Sequence, residues 1–366
     1  MARAMTEAGA SVHVWVDGLD PWEEMRNPEV AGIKDGVHFE FLLGKTRASS
    51  NKLRRIYDRF SLAAAALNRM RKAVHRGTLD GLYFYASLFT PEFERVIVRS
   101  EARANKFPVI IDLCEAPWAF KQKQSPVEKI ISPLWGVDGV ISISSFLSDW
   151  VGKENIRRSR NIPILQIPIL VDVHEFAAIP VCSRHASVLF AGSPLYTDTL
   201  QFLLQAMESV WERHPDAELV LTGGTAEAML AAGGTRGKGR IRCPGFLDRK
   251  SLLNEYAAAS VLALPLFDDV RSAARFPTKL GEYLAAGKPV VTNSVGEIPN
   301  FLEDGVNASL ISPGDIEGFA SGICRVLDDP HYGRTLGCLG RKVAEHYFHY
   351  SQYGERLIEY FSSLRN

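Results

Sequence analysis

Lys279 and Glu282 stand three apart in the stretch Arg275-Phe-Pro-Thr-Lys-Leu-Gly-Glu-Tyr-Leu-Ala-Ala-Gly-Lys-Pro-Val-Val291, with Thr278 just before them. Pro277 fixes φ as a first helical turn requires, and it has no N–H to leave unpaired there. Leu280, Tyr283 and Leu284 recur at helical spacing, and Gly287 and Pro289 stop the helix they predict. The apolar run Val261–Leu266 before this stretch reads as a strand. The helix therefore starts at the carboxyl end of a strand, where free N–H groups and the dipole attract anions. Thr278 and Glu282, four apart, share one helical face. The chemistry that suits the set is nucleotide capture. The N–H groups of Thr278, Lys279 and Leu280 and the Lys279 ammonium would meet phosphate, and Glu282 a pair of ribose hydroxyls. The competing reading is an ordinary amphipathic helix with an exposed Glu and a solvated Lys.

Three further places have residue types fit for a site. Gly192 and Ser193 follow the strand Val188-Leu-Phe-Ala-Gly192, and a Gly lets backbone approach phosphate closely. The strand Ala217–Thr222 ends likewise at Gly223-Gly224. Asp112 and Glu115 lie at the carboxyl end of the buried-strand candidate Val109-Ile-Ile-Asp112, where a carboxylate can accept a hydroxyl proton or simply cap a loop.

The wider stretch resembles the donor-binding segment of the retaining, two-domain glycosyltransferases of the GT-B fold, family 4. The matching residues are Phe276, Glu282, Ala285, Gly287, Pro289, Val290, Val291, Gly296, Ile298, Pro299, Asp304, Gly305, Asn307 and Pro313-Gly314-Asp315. The resemblance covers most of residues 137–364 and only weakly residues 1–136. It implies an α/β chain of two Rossmann-like, doubly wound domains facing across a cleft, with the last helix crossing back to the first domain. It also implies a nucleoside diphosphate sugar donor and Glu282 on its ribose. Gly245-Phe246-Leu247 resembles the loop whose backbone reads the base, although Phe246 equally suits a core. No cofactor and no essential metal ion are implied.

The chain departs from the family pattern in four places. The first Glu of the family's pair falls on Ala274, leaving Arg275 or Asp269 to take over its contact with the sugar. The family's Gly after Phe is Pro277. The Arg and Lys usual after the second domain's opening strand are absent from Gly192-Ser-Pro-Leu-Tyr-Thr-Asp198, so the diphosphate charge falls to Lys279, Arg275 or Arg271. The family's first-domain His is missing from Val109–Trp118. These departures keep two alternatives open beside a retaining transferase. One is a catalytically inactive GT-B-like binding or partner subunit, and the other a nucleotide-sugar epimerase.

The bulk numbers fit a soluble two-domain chain: 366 residues, 46% hydrophobic, 23% charged. Lys plus Arg and Asp plus Glu both number 42, so charge alone points to no nucleic-acid partner. Cys114, Cys182, Cys243, Cys324 and Cys338 include no Cys-x-x-Cys; a reduced, cytoplasmic setting with small core cysteines is expected. No long apolar run or signal segment appears, and the sequon at Asn307 is read as meaningless. No Gly-x-Gly-x-x-Gly follows a strand, Gly233–Gly239 is a loop without P-loop chemistry, and Asp268-Asp269 is weak ground for a metal.

Behind these residues, strands and helices alternate. Residues 2–8, 51–76, 199–214, 250–258, 315–327, 334–346 and 350–364 read as helices. The strand Ser11–Val16 resembles the family's second, so a start placed too late, or a piece this protein lacks, is expected before it. The domains read as 1–176, a linker 177–184, 185–346, and a closing helix 347–366. Residues 45–76 hold Lys45, Arg47, Lys52, Arg54, Arg55, Arg59, Arg69, Arg71, Lys72 and Arg76 against one acid, Asp58, with an apolar stripe alongside. Such a helix lies on an anionic membrane at the inner face or covers a sheet. The acceptor implied by the resemblance is a sugar, a lipid-linked molecule or a polysaccharide.

Overall fold

The computed structural model describes residues 1–16, 29–46, 49, 51–85, 92–116, 134–176, 186–234 and 240–365. The chain divides into two compact units, one of Met1–Ile167 with Tyr350–Asn366, the other of Pro168–His349.

The second unit is built on six parallel strands. They are β8 (Ser187–Ala191), β9 (Glu218–Thr222), β10 (Arg240–Gly245), β11 (Val261–Leu264), β12 (Val290–Asn293) and β13 (Ser309–Ile311). Their spatial order is β10-β9-β8-β11-β12-β13, the doubly wound order. β8 and β11 are buried throughout, as continuous apolar strands with helices on both faces must be. On one face Leu200, Leu203 and Met207 of the helix Thr197–Arg213 meet Phe319 and Ile323 of the helix Ile316–Asp328 over Val188, Phe190 and Leu219. The order reverses between β8 and β11, and ligands of such sheets bind at the strand carboxyl ends beside that point.

In the first unit, β4 (Leu82–Tyr85), β5 (Val109–Leu113), β6 (Gly139–Ser142) and β7 (Ile164–Gln166) form a parallel sheet in chain order. A second, three-stranded sheet pairs β1 (His13–Val16) in parallel with β3 (Val37–Phe41), and β3 turns antiparallel onto β2 (Ala31–Lys34). Met70 of the helix Lys52–His75 and Val98 and Ala102 of the helix Glu92–Ala104 pack on Leu82 and Val109. The closing helix Gly354–Ser363 is held in this unit by Tyr360. Its hydroxyl accepts the Val140 N–H at 2.8 Å and donates to the Pro163 carbonyl at 2.8 Å.

The structure departs from the sequence reading in several places. The first unit gives up its chain after Ile167, earlier than 176, because Pro168–Phe176 packs within the second unit. There the Val171 N–H donates to the Phe348 carbonyl at 2.8 Å, and Ile169 lies where a Cβ on Gly281 would approach within 3.2 Å. The helices Glu92–Ala104, Ala226–Gly233 and Val270–Ala274 and the strand β2 were not anticipated. Asp269 is a helix cap, accepting the Ser272 N–H at 2.7 Å. Of the described cysteines only Cys324 is a core residue. Cys338 is exposed because it faces outward on its helix, and Cys114 and Cys243 are half-buried. Cys182, the linker 177–184 and most of the 233–239 loop lie outside the described residues.

Candidate active site

The carboxyl end of β8 is shaped by two glycines. Gly192 donates its N–H to the Thr222 carbonyl at 2.9 Å, and Gly223 takes φ +104°. A Cβ on Gly223 would stand 2.4 Å from the Gly192 carbonyl oxygen, so only glycine lets the two loops meet. Ser193 turns the chain, its Oγ accepting the Leu195 N–H at 3.2 Å. Phe246 and Leu247, after β10, are half-buried, and the Gly245 carbonyl before them accepts the Thr222 hydroxyl at 2.8 Å.

The helix Thr278–Ala285 is fixed to this end by Tyr283. Fully buried, its hydroxyl accepts the Ala191 N–H at 2.8 Å, which ties the helix to the last residue of β8. Gly287, at φ +67°, ends the helix as the sequence predicts. Thr278 opens it exposed to solvent, whereas Leu280 is buried and its N–H reaches back to the Pro277 carbonyl at 3.0 Å.

Glu282 sits at the centre of a charged network. Its Oε1 accepts Arg249 Nη1 at 2.6 Å, and its Oε2 accepts both the Tyr256 hydroxyl and Lys279 Nζ at 3.0 Å. Arg249 also forks onto Glu175, Nε to Oε1 at 2.9 Å and Nη2 to Oε2 at 2.6 Å, and lies over the Phe176 ring at 5.5 Å. Burial pushes the Glu282 pKa up, but the Lys279 and Arg249 charges outweigh it and hold the carboxyl below its ordinary value. Hydrogen bonding to Glu175, with help from Glu282, holds Arg249 above its own ordinary value despite burial. The carboxylate is thus ionised and fixed in place.

Arg275 lies beside Tyr196, its guanidinium 5.7 Å from the ring centroid and Nη1 3.4 Å from the hydroxyl. Ala274 is completely buried. Arg271 pairs with Asp269 at 3.0 Å and approaches Asp198 at 3.9 Å. In the first unit, Asp112 is 4% exposed at the end of β5 and accepts the Tyr83 hydroxyl at 2.6 Å. Burial drives its pKa up to about 6, against the lowering effects of Tyr83 and of the chain's amino terminus. Glu115, two residues beyond the strand, is half-buried.

The structure therefore brings Thr278, Lys279, Leu280 and Glu282 to one helix beside Gly192, Ser193 and Gly223. Sequence reasoning missed Glu175, Arg249 and Tyr256. One signal was available: Arg249 opens a helix, where the dipole disfavours a cation unless a carboxylate meets it.

Residues 185–329 match the family described as glycosyl transferases group 1. The chain is 31% identical over 157 residues to an uncharacterised glycosyltransferase of Methanocaldococcus jannaschii, covering 42% of this chain and 38% of that protein. It is 27% identical over 166 residues to the GDP-mannose-dependent monoacylated alpha-(1-6)-phosphatidylinositol monomannoside mannosyltransferase of Corynebacterium glutamicum, covering 44% and 43%. The chain thus spans less than half the length of these curated relatives. Among solved structures it is similar to the sucrose-phosphate synthase of Thermosynechococcus elongatus. The TM-score is 0.71 at 20% identity, over 99% of this chain and 91% of that one. That likeness is one of fold, and the fold is GT-B.

Proposed function

From the match of residues 185–329 to the glycosyl transferases group 1 family, within a chain of GT-B fold, we propose a retaining glycosyltransferase that takes its sugar from a nucleoside diphosphate sugar. The observation that carries the reading is Glu282, ionised by its cationic neighbours on a helix pinned to the β8 end, beside the reversal in strand order. In this reading Glu282 holds the ribose hydroxyls, and Gly192, Ser193 and Gly223 let the backbone approach the phosphates. Phe246 and Leu247 border the base. The opening N–H groups of the helix and Lys279 take the charge growing on the departing diphosphate, which is where a loose glycosyl transition state needs help. Arg275 borders the sugar, and Asp112 or Glu115 receives the acceptor's proton, unless the departing phosphate does. The scheme assigns all diphosphate charge to protein groups and calls for no metal or cofactor.

The acceptor we propose is a lipid-linked molecule or a polysaccharide, consistent with the glycolipid named for the Corynebacterium relative. We place the protein in the cytoplasm, against the inner face of the membrane. No helix among the described residues is long and apolar enough to cross a membrane. Leu53, Tyr57 and Phe60 nevertheless stand 77%, 70% and 61% exposed on the basic helix Lys52–His75. That stripe suits anionic lipid, and sedimentation with phosphatidylglycerol but not phosphatidylcholine vesicles is the expected result.

A second reading, a GT-B-like subunit that binds nucleotide without turnover, is favoured by Ala274, which offers no polar group to a sugar. Calorimetry with UDP, GDP, ADP and dTDP, on the wild type and on Glu282→Ala, tests both. Saturable binding of one nucleotide, weakened about 100-fold in the variant, is expected for a charge-assisted anchor. No binding of any nucleotide overturns the site. Binding without sugar release from any matching nucleotide sugar, with lipid or glycan acceptors supplied, favours the second reading.

A further inference from the structure

Glu282 has more partners than a ribose anchor can keep. An ionised carboxylate offers about four acceptor positions. Three are taken: one on Oε1 by Arg249, and two on Oε2 by Tyr256 and Lys279. A ribose diol brings two hydroxyl donors and needs two positions, so one resident donor must leave.

The three donors differ in how firmly they are held. Arg249 is clamped by its two-point fork on Glu175 and its seat over Phe176. Tyr256 is fully buried, stacked on Phe176 at 6.4 Å and edge-on to Tyr283 at 5.3 Å. Lys279 is a point charge on a flexible four-carbon stem, held by hydrogen bonds of 3.0 Å to Glu282 and 3.2 Å to Tyr256. It also belongs to the first turn of the helix Thr278–Ala285, where an anion would sit.

We propose that Lys279 is a specificity-determining residue that exchanges Glu282 for the diphosphate. When phosphate draws the ammonium away, Glu282 regains the acceptor position the second ribose hydroxyl needs. A nucleoside without phosphates offers no such exchange and must compete with Lys279 for Glu282. The residue thereby couples ribose capture to the presence of the diphosphate and discriminates against nucleosides. Arg249, anchored by Glu175, acts as the positioning residue that holds Glu282 still through the exchange. This inference rests on the donor-site reading above.

The test compares two ligands on each variant. Of UDP, GDP and ADP, whose ribose carries the diol, the tightest-binding diphosphate is titrated by calorimetry and its nucleoside by ligand-observed NMR, with folding checked by circular dichroism. For Lys279→Met we expect the diphosphate to bind about 10- to 100-fold more weakly, the loss of one charge-assisted bond. The nucleoside, freed from competition with Lys279, should bind several-fold more tightly, and a nucleoside affinity left unchanged overturns the exchange. Arg249→Met should weaken both ligands by the same factor. Parallel loss of both ligands in Lys279→Met, or loss of neither, overturns the exchange while leaving the donor site standing. Diphosphate-selective loss in Arg249→Met transfers the role to Arg249 and also overturns it. A wild-type protein that binds no nucleotide overturns the donor site and the exchange together.

Discussion

Asp112 and Glu282 are both carboxylates set near the carboxyl edge of a parallel sheet, one in each unit, yet their chemistry is opposite. Both are taken largely out of water and both accept a tyrosine hydroxyl, Asp112 at 2.6 Å and Glu282 at 3.0 Å. Asp112 is pushed up to about 6, chiefly by burial, and Glu282 is held below its ordinary value although burial opposes it. The difference lies in the side-chain cations: Glu282 has Lys279 and Arg249 within hydrogen-bonding distance, and among the described residues Asp112 has a tyrosine. Burial sets the cost of ionisation for each, and the side-chain cations decide whether it is met. A carboxylate that must anchor a neutral diol is best kept permanently ionised. One asked to take up a proton near neutrality works best with a raised pKa, as Asp112 has.

The same chemical change at the two positions should therefore have opposite signs. Glu282→Gln removes the charge that Arg249 and Lys279 surround. We expect it to destabilise the protein by about 2–3 kcal/mol at pH 7 and to weaken nucleotide binding about 100-fold. Asp112→Asn removes a charge that burial disfavours, and it should stabilise the protein by about 1–2 kcal/mol at pH 7. Urea unfolding of both variants checks this pair, and a loss of stability in Asp112→Asn would dissolve the contrast.

The pH dependence sharpens it. Asp112 has a folded pKa above its ordinary 3.8, so the folded state binds the extra proton. Its contribution to stability falls as pH rises from about 4 to about 6 and is level above that. Glu282 has a folded pKa below its ordinary 4.5, so its contribution is in place above that value and is lost as pH falls through the folded one. The stability difference between wild type and Asp112→Asn should change between pH 4 and 6. That between wild type and Glu282→Gln should change only below about pH 4.5.

The parts of this arrangement that depend on one local run of residues were legible in the sequence. Pro277, the Leu280–Tyr283–Leu284 spacing and Gly287 located the helix Thr278–Ala285, and apolar runs located β8, β9, β11 and β12. What the sequence could not disclose was pairing between distant elements. Arg249 and Glu175 meet only because the chain from Pro168 to Phe176 packs within the second unit, and a lone Arg in a polar segment has no periodic signal. Asp112 was read as a candidate site group by its place on β5, but its environment depends on β4 pairing with β5, so that Tyr83 reaches it. The helix Glu92–Ala104 was missed although Val98 and Ala102, four apart, mark its buried face.

The smallest effect makes the finest distinction. Tyr83→Phe and Tyr256→Phe each delete one hydroxyl donated to a carboxylate, and each should cost about 1 kcal/mol of stability. Their consequences for titration should differ. The Tyr83 hydrogen bond is the largest of the effects that pull the Asp112 pKa down, so deleting it should move that pKa further above 6. Glu282 is held down by Lys279 and Arg249, so losing the Tyr256 hydroxyl should leave its pKa below the ordinary value. Carboxyl carbon shifts followed by NMR through a pH titration would record both. If Tyr256→Phe raised the Glu282 pKa as far as Tyr83→Phe raised that of Asp112, the cations would not be what keeps Glu282 ionised, and the exchange proposed for Lys279 would lose its electrostatic basis.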